Sequence, residues 1–210
     1  MKSDLATIYI VRHGETEWNF KKLIQGQSDS PLTEEGIKQA KGLSKKLNKV
    51  KFDLVFSSDL LRAKRTAEII IAEQKLEIAT SELLRERRFG KLEGKPVQTL
   101  RAFDELFAKL RHEEIYSYKS SPDVESDEEI VTRLITFLRE AAISHPGKKI
   151  LVVTHGGIMR AFLIKLGVSD YKNPVFIGNA GYIKLETDGV DFYVKEVDGI
   201  EKRKYEKLHN

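Results

Sequence analysis

Thr7-Ile8-Tyr9-Ile10-Val11-Arg12-His13-Gly14-Glu15-Thr16 joins an apolar run to a cation, an imidazole and a glycine, and it decides the fold. Thr7 to Val11 reads as a buried strand, and Arg12-His13-Gly14 follows where such a strand opens onto a turn. Phosphoryl transfer needs positive groups around the equatorial oxygens and an in-line nucleophile, and a neutral histidine nitrogen beside an arginine supplies both. Taken alone, the triplet is also what a solvated turn with a surface histidine looks like, so the remainder of the chain has to give it a setting.

Short apolar runs alternate with amphipathic helical ones, the pattern of an α/β domain with a mostly parallel sheet. Thr33 reads as an N-cap, with Ile37, Ala40, Leu43 and Leu47 at helical spacing over Glu34 to Asn48. Asp53 to Phe56 is a second strand, and Ser57-Ser58-Asp59 caps a helix to about Gln74 with Ile69 and Ile70 inward. A short strand is expected near Glu77 to Thr80. Residues 95 to 118 predict a charged amphipathic helix interrupted towards Tyr116, and Ser120 to Asp123 a loop. Ser126 and Glu129 form a capping box for a helix with Ile130, Leu134, Phe137, Leu138 and Ala141 on one face. His145-Pro146-Gly147 stops it, Ile150 to Val153 is the most hydrophobic strand, and Gly156-Gly157 opens a helix through Ile164. Gly181 to Glu186 and Phe192 to Val197 flank Asp188-Gly189, a hairpin signal. The tail Glu201 to Lys207 reads as a solvated helix.

The chain has 210 residues, enough to bury roughly 70% of its unfolded surface, and no interdomain linker or repeat. It is expected to be one domain over residues 1–210, monomeric or homodimeric. With 36 Lys+Arg against 32 Asp+Glu the net charge is only +4, which gives a nucleic-acid partner little support. No signal peptide and no apolar run of membrane-spanning length are seen, so a cytoplasmic location and no membrane partner are expected. Without cysteine there is no thiol nucleophile, disulfide or thiolate metal site. Histidine is left as the main candidate for chemistry.

In open α/β sheets ligands bind beyond the carboxyl ends of the strands. Arg12 and His13 follow the first strand; Ser57, Ser58 and Arg62 follow the second; Thr154, His155 and Gly156-Gly157 follow Ile150 to Val153. These converge on one crevice, where a helix N-terminus favours an anion and glycines allow its close approach. Leu84-Arg85-Glu86-Arg87-Arg88-Phe89-Gly90 adds a carboxylate, Glu86, as a candidate acid.

Several segments in order resemble the histidine phosphatase, or phosphoglycerate mutase-like, superfamily. Arg12-His13-Gly14-Glu15-Thr16 with Trp18-Asn19 resembles its nucleophile motif, Asp29 to Gly36 the following turn, and Ser57-Ser58-Asp59-Leu60 with Arg62-Ala63 its second arginine segment. Glu86, Gly90 and Glu93-Gly94 resemble its acid loop, and Val153-Thr154-His155-Gly156-Gly157 its second histidine. The resemblance implies a three-layer α/β/α fold with a mixed sheet and a reaction through a phosphohistidine with no metal and no cofactor. His13 would attack phosphorus while Arg12, Arg62 and His155 bind the equatorial oxygens. Asn19 and the Gly156 amide add donors, and by resemblance Gln25 and Gly26 line the substrate side. Glu86 would protonate the leaving alkoxide and then activate water. Arg87 and Arg88 point away, either to the substrate's distal groups or to solvent.

Other residues have structural readings. His112, His145 and His209 are read as surface residues, Glu15 as a brace of the turn, Trp18 and Phe20 as packing, and Lys21 and Lys22 as a solvated face. A metal site from His13, His155, Asp59 and Glu86 is disfavoured by the neighbouring arginines. The expected function is a metal-free phosphomonoester hydrolase acting on small phosphorylated metabolites. The alternatives are a cofactor-dependent phosphoglycerate mutase and a non-catalytic phospho-ligand binding module. A mutase needs an arginine-rich enclosing insertion, for which the cap-like segment at about 95–125 has little room. Ile24-Gln25-Gly26-Gln27, Val50-Lys51-Phe52, Phe56 to Leu60 and Leu84 to Arg87 with Glu93-Gly94-Lys95 resemble the TIGAR type of fructose-2,6-bisphosphatase, which implies a small, multiply phosphorylated sugar or glycerate. The middle segment is shorter than in that branch, and Pro122-Asp123-Val124-Glu125-Ser126 lacks the glycines usual before its Glu-Ser.

Overall fold

A computed structural model describes residues 5–201. The Thr7 to Val11 run lies in β1 (Ala6–Arg12), and its alternate side chains bury on opposite faces of a sheet. Ile8 and Ile10 join one core and Tyr9 and Val11 the other, the pattern of a strand covered on both sides. After β1 come α1 (Glu17–Phe20), α2 (Glu34–Lys46), β2 (Leu54–Ser58), α3 (Leu61–Ile70) and β3 (Ile78–Ser81). The middle of the chain holds α4 (Asp104–Phe107), α5 (His112–Ser117) and α6 (Asp127–Ser144). It closes with β4 (Lys149–Thr154), α7 (Gly156–Lys165), β5 (Phe176–Ile177), β6 (Tyr182–Thr187), β7 (Phe192–Val197) and β8 (Ile200–Glu201).

The six-stranded sheet runs β3-β2-β4-β1-β6-β7, and β5 pairs with β8 in a small ribbon. Strands β3, β2, β4 and β1 are parallel; β6 is antiparallel to β1 and β7 to β6. On one face α6 and α7 supply Leu134, Phe137, Leu138, Met159 and Phe162 to the core; on the other α2 and α3 supply Leu43, Ala63, Ala67 and Ile70. This is the expected three-layer α/β/α arrangement with a mostly parallel mixed sheet. Each fully buried aliphatic or Phe side chain contributes about 1.5–3 kcal/mol. The carboxyl ends of β1, β2 and β4 lie along one sheet edge.

Several local expectations hold. Thr33 Oγ1 accepts from the Gly36 amide, and Ser126 and Glu129 cap α6 reciprocally. The hairpin forms around Gly189 at φ +93°. Two do not hold. Residues 95–118 are not one helix but a 3-10 stretch Val97–Phe103, then α4 and α5. Only Ile115 buries in these short helices, so no apolar seam holds a longer one, and helices this short are marginal on their own. An aromatic group of Phe103, Phe107 and Tyr118 organises the segment instead.

Nor does Ser57-Ser58-Asp59 cap α3. Its N-cap is Leu60, and the Leu61 amide donates to Asp29 Oδ2 at 2.9 Å from a distant segment. Asp59 is instead bound to the Arg85 Nε at 2.9 and 3.1 Å. The tail lies outside the described residues apart from Glu201, which ends β8; His209 lies outside them too.

Candidate active site

His13 follows β1 directly and is 3% exposed. Its Nδ1 lies 2.7 Å from the Gly14 carbonyl. A carbonyl only accepts, so Nδ1 carries the proton and the Nε2 lone pair is left free. The turn beneath the ring is held from two further sides. The Gly14 amide donates to Thr66 Oγ1 at 3.0 Å, and Asn179 Nδ2 donates to the His13 carbonyl at 3.0 Å. A Cβ on Gly14 would stand 2.5 Å from the Gly36 carbonyl, so the turn packs against α2 only with glycine there.

His155, one residue past β4, is fully buried, with its ring centroid 5.2 Å from that of His13. Neither of its ring nitrogens has a partner among the described residues. Burial holds both histidines well below the ordinary imidazole range, and the charges of Arg62 and Arg12 push the same way. Both rings are therefore neutral at neutral pH. In the unfolded chain the same imidazoles take up protons as pH falls through 6.5, whereas the folded ones do not until much lower pH. Stability is thus expected to be complete above pH 6.5 and to decline below it, by up to about 1.4 kcal/mol per pH unit for each histidine. Denaturant titrations between pH 7.5 and 5.5 check this, with His13→Ala flattening the slope.

Arg62, in the first turn of α3, is 1% exposed. Its Nη2 donates to the Gly26 carbonyl at 2.6 Å, and Nη1 to the Ser28 carbonyl at 2.8 Å and to Asp29 Oδ1 at 3.1 Å, while Nε has no partner among the described residues. Gly26 adopts φ +56°, and a Cβ there would overlap the Glu93 carboxylate. That carboxylate accepts from the Gln27, Ser28 and Phe89 amides, tying the Arg62-bound loop to the acid loop. Arg12 donates from Nη1 to the Ile177 carbonyl at 2.7 Å and lies 3.8 Å from Glu201 Oε1. Asn19 Oδ1 accepts from the Thr16 amide and from Asn179 Nδ2, both at 3.3 Å, so its Nδ2 remains a donor. Gln25 is buried, and its Oε1 has no partner among the described residues.

Glu86 does not stand free. Its carboxylate accepts from the Arg87, Gly157 and Ile158 amides at 2.8, 2.8 and 3.1 Å. The start of α7, expected to receive a phosphate, is thus partly occupied by the side chain of the acid loop. The two glycines have a corresponding use: a Cβ on Gly157 would stand 2.6 Å from Glu86 Oε1, and one on Gly156 2.9 Å from Arg12 Nε. They admit Glu86 and Arg12 rather than the phosphate itself.

Arg87 points away from the Glu86 oxygens but not to solvent. It is ion-paired with Asp127, which also lies 3.8 Å from Arg160, and burial beside Arg160 pushes its pKa down to about 10. Arg88 donates from Nε to the Asp123 carbonyl and is exposed. Glu15 braces the turn as expected, accepting from Thr33 Oγ1 at 2.8 Å. Trp18 packs against Gly94, but Phe20 does not pack: it is 73% exposed, because the four-residue α1 has no buried face. His112 is exposed but lies against Tyr171, with the rings tilted by 58° and their centroids 4.9 Å apart. Among the described residues no group of three or more His, Asp or Glu comes together as ion ligands, and no helix is long and apolar enough to cross a membrane.

Sequence reading assigned no role to Thr66, Asn179 and Arg133, and placed Glu93 only within the acid-loop resemblance. Thr66 had a local signal, four residues after Arg62 on the same helix face, and it donates to the Arg62 carbonyl at 2.7 Å.

The family described as histidine phosphatase superfamily (branch 1) matches residues 8–198. Phosphoglycerate mutase-like protein 4 of Arabidopsis thaliana is 40% identical, covering 75% of this chain and 70% of its own. The uncharacterized phosphatase PhoE of Bacillus subtilis is 34% identical, covering 79% of this chain and 80% of its own. A mycobacterial glucosyl-3-phosphoglycerate phosphatase solved with VO3 superposes at a TM-score of 0.77 with 26% identity, covering 93% of this chain and 99% of that one.

Proposed function

Because the chain belongs to the histidine phosphatase superfamily, we propose that it is a metal-free phosphomonoester hydrolase that works through a phosphohistidine on His13. One observation carries this. Beside the fixed His13 tautomer lie His155, neither of whose ring nitrogens has a partner among the described residues, and Arg62, whose Nε has none there either. Buried polar atoms are almost always satisfied, so such a set marks the place of a bound polar group. The positive charges of Arg62 and Arg12, which act on both histidines, suit an anion there.

His13 Nε2 attacks phosphorus in line as the P–O bond to the leaving group breaks, with Arg12, Arg62, His155, Asn19 and the Gly156 amide taking the equatorial charge. Glu86, aimed by its three amide contacts, gives its proton to the departing alkoxide. Water then attacks the phosphohistidine, Glu86 takes its proton, the P–N bond breaks and its electron pair returns to Nε2.

Hydrolysis is favoured over mutase chemistry because the cap-like segment at 95–125 is broken into short helices and buries no arginine that could shield a phosphoenzyme. Its Arg101 and Arg111 are exposed, and Arg111 is paired with Glu114. The substrate is a small sugar or glycerate phosphate, and the TIGAR resemblance puts fructose 2,6-bisphosphate among the candidates. Phosphate release is to be measured with EDTA present from p-nitrophenyl phosphate and a panel of sugar and glycerate phosphates. Release at rates unaffected by EDTA is expected. Conversion of 3-phosphoglycerate that requires 2,3-bisphosphoglycerate and frees no phosphate would show a mutase, and binding without turnover a phospho-ligand module.

A further inference from the structure

The acid loop has no ladder of its own, for residues 85 to 89 belong to neither helix nor strand. Its backbone around Glu86 is gripped mainly by one guanidinium, with Gln27 Nε2 adding a donor to the Glu86 carbonyl at 3.2 Å. Arg133 Nη1 donates to the Leu83 carbonyl at 2.9 Å and also to that of Arg85, while Nη2 donates to the Glu86 carbonyl at 3.0 Å. Arg133 Nε lies 3.2 Å from Glu125 Oε1, and Glu125 Oε2 accepts from the Arg88 amide at 2.7 Å. The pair therefore fixes the chain on both sides of Glu86 without touching its carboxylate. Both side chains are mostly buried, at 14% and 15% exposure. Arg133 stands on α6, whose neighbouring Leu134, Phe137 and Leu138 lie in the core, so the grip transmits the rigidity of the body to the loop.

We propose that Arg133, braced by Glu125, is a positioning residue that sets the Glu86 carboxylate at the oxygen of the leaving group. The proposal rests on Glu86 being the proton donor. Only a planar fork with five donors reaches three carbonyls and a carboxylate together; a lysine ammonium is a single point on a flexible stem. Arg133 also contributes charge felt at His155. Arg133→Lys keeps that charge and removes the geometry, which makes it the informative variant.

The experiment compares the first turnover of wild type, Arg133→Lys, Glu125→Gln and Glu86→Gln by rapid quench on two substrates. One is p-nitrophenyl phosphate, whose leaving group needs little protonation, and the other an alkyl phosphate that the wild type hydrolyses. For Arg133→Lys the alkyl phosphate is expected to slow by about 10–100-fold, since misplacing a general acid by an ångström costs on this order, with KM nearly unchanged. The p-nitrophenol burst should stay within about threefold of wild type. Glu125→Gln, which keeps the carbonyl contacts, should show a smaller split of the same sign. Equal loss on both substrates, or a change confined to KM, would overturn the positioning role. A split in Glu86→Gln but not in Arg133→Lys would overturn it while leaving Glu86 as the acid. No split in Glu86→Gln would remove the acid assignment, and the inference with it.

Discussion

His13→Ala is expected to lower kcat by at least about 10⁴-fold, the scale on which loss of a nucleophile removes the covalent path. No neighbouring side chain can substitute. His155 is the nearest imidazole, but its ring is 5.2 Å away, centroid to centroid, at the end of a different strand, and it cannot occupy the in-line position while binding an equatorial oxygen. The chain has no cysteine, and Thr66 Oγ1 is held in a buried bridge between Gly14 and Arg62. The variant should still fold, because the ring makes one hydrogen bond, to the adjacent Gly14 carbonyl, and its burial opposes protonation. It should also still bind phosphate through Arg12, Arg62 and His155. Turnover near wild type would place the nucleophile elsewhere, whereas unchanged phosphate affinity with no turnover in either protein would favour a binding module.

Arg62→Ala is expected to cost about 10³–10⁵-fold in kcat/KM, the range for an arginine that carries phosphoryl-transfer charge. It should also lower stability by about 3–5 kcal/mol, because Asp29 and the Gly26 and Ser28 carbonyls lose a buried cationic partner. The two effects share one cause. The Arg62 guanidinium ties down the 26–29 loop with Nη1 and Nη2 and leaves Nε over from that work. Arg62→Lys should recover part of the stability and little of the activity, since an ammonium cannot serve the loop and the phosphate at once. Thermal unfolding and steady-state kinetics on both variants test this, and a lysine variant with near-normal kcat/KM would refute the dual role.

What could be read from the sequence followed from local signals. Thr7 to Val11 and Ile150 to Val153 announce strands because the centre of a parallel sheet is covered on both faces and needs unbroken apolar runs. Gly156 and Gly157 announce close approach at the start of α7, although the room they leave is taken by Arg12 and Glu86 rather than by the phosphate the sequence suggested. His13, Arg62, Glu86 and His155 lie at strand ends and loop positions that the α/β pattern brings to one edge. The residues that hold them were illegible for the opposite reason. Asn179 acts on His13 across 166 residues, Thr66 on Gly14 across 52, and Arg133 on Glu86 across 47. No periodicity or motif records a partner at that distance. The Ser57-Ser58-Asp59 cap failed similarly, because Arg85 claims Asp59 and Asp29 supplies the capping oxygen. The 95–118 helix failed because charge spacing can suggest a helix face where the body offers nothing to bury it against.

Acid-sparing quench of the enzyme during turnover in EDTA, followed by peptide mass spectrometry, tests the central claim most directly. One phosphate, acid-labile and carried on His13, is the expected result, absent from His13→Ala. Continued turnover with the label on another residue, or with no phosphoenzyme while chemistry is faster than dephosphorylation, would contradict it.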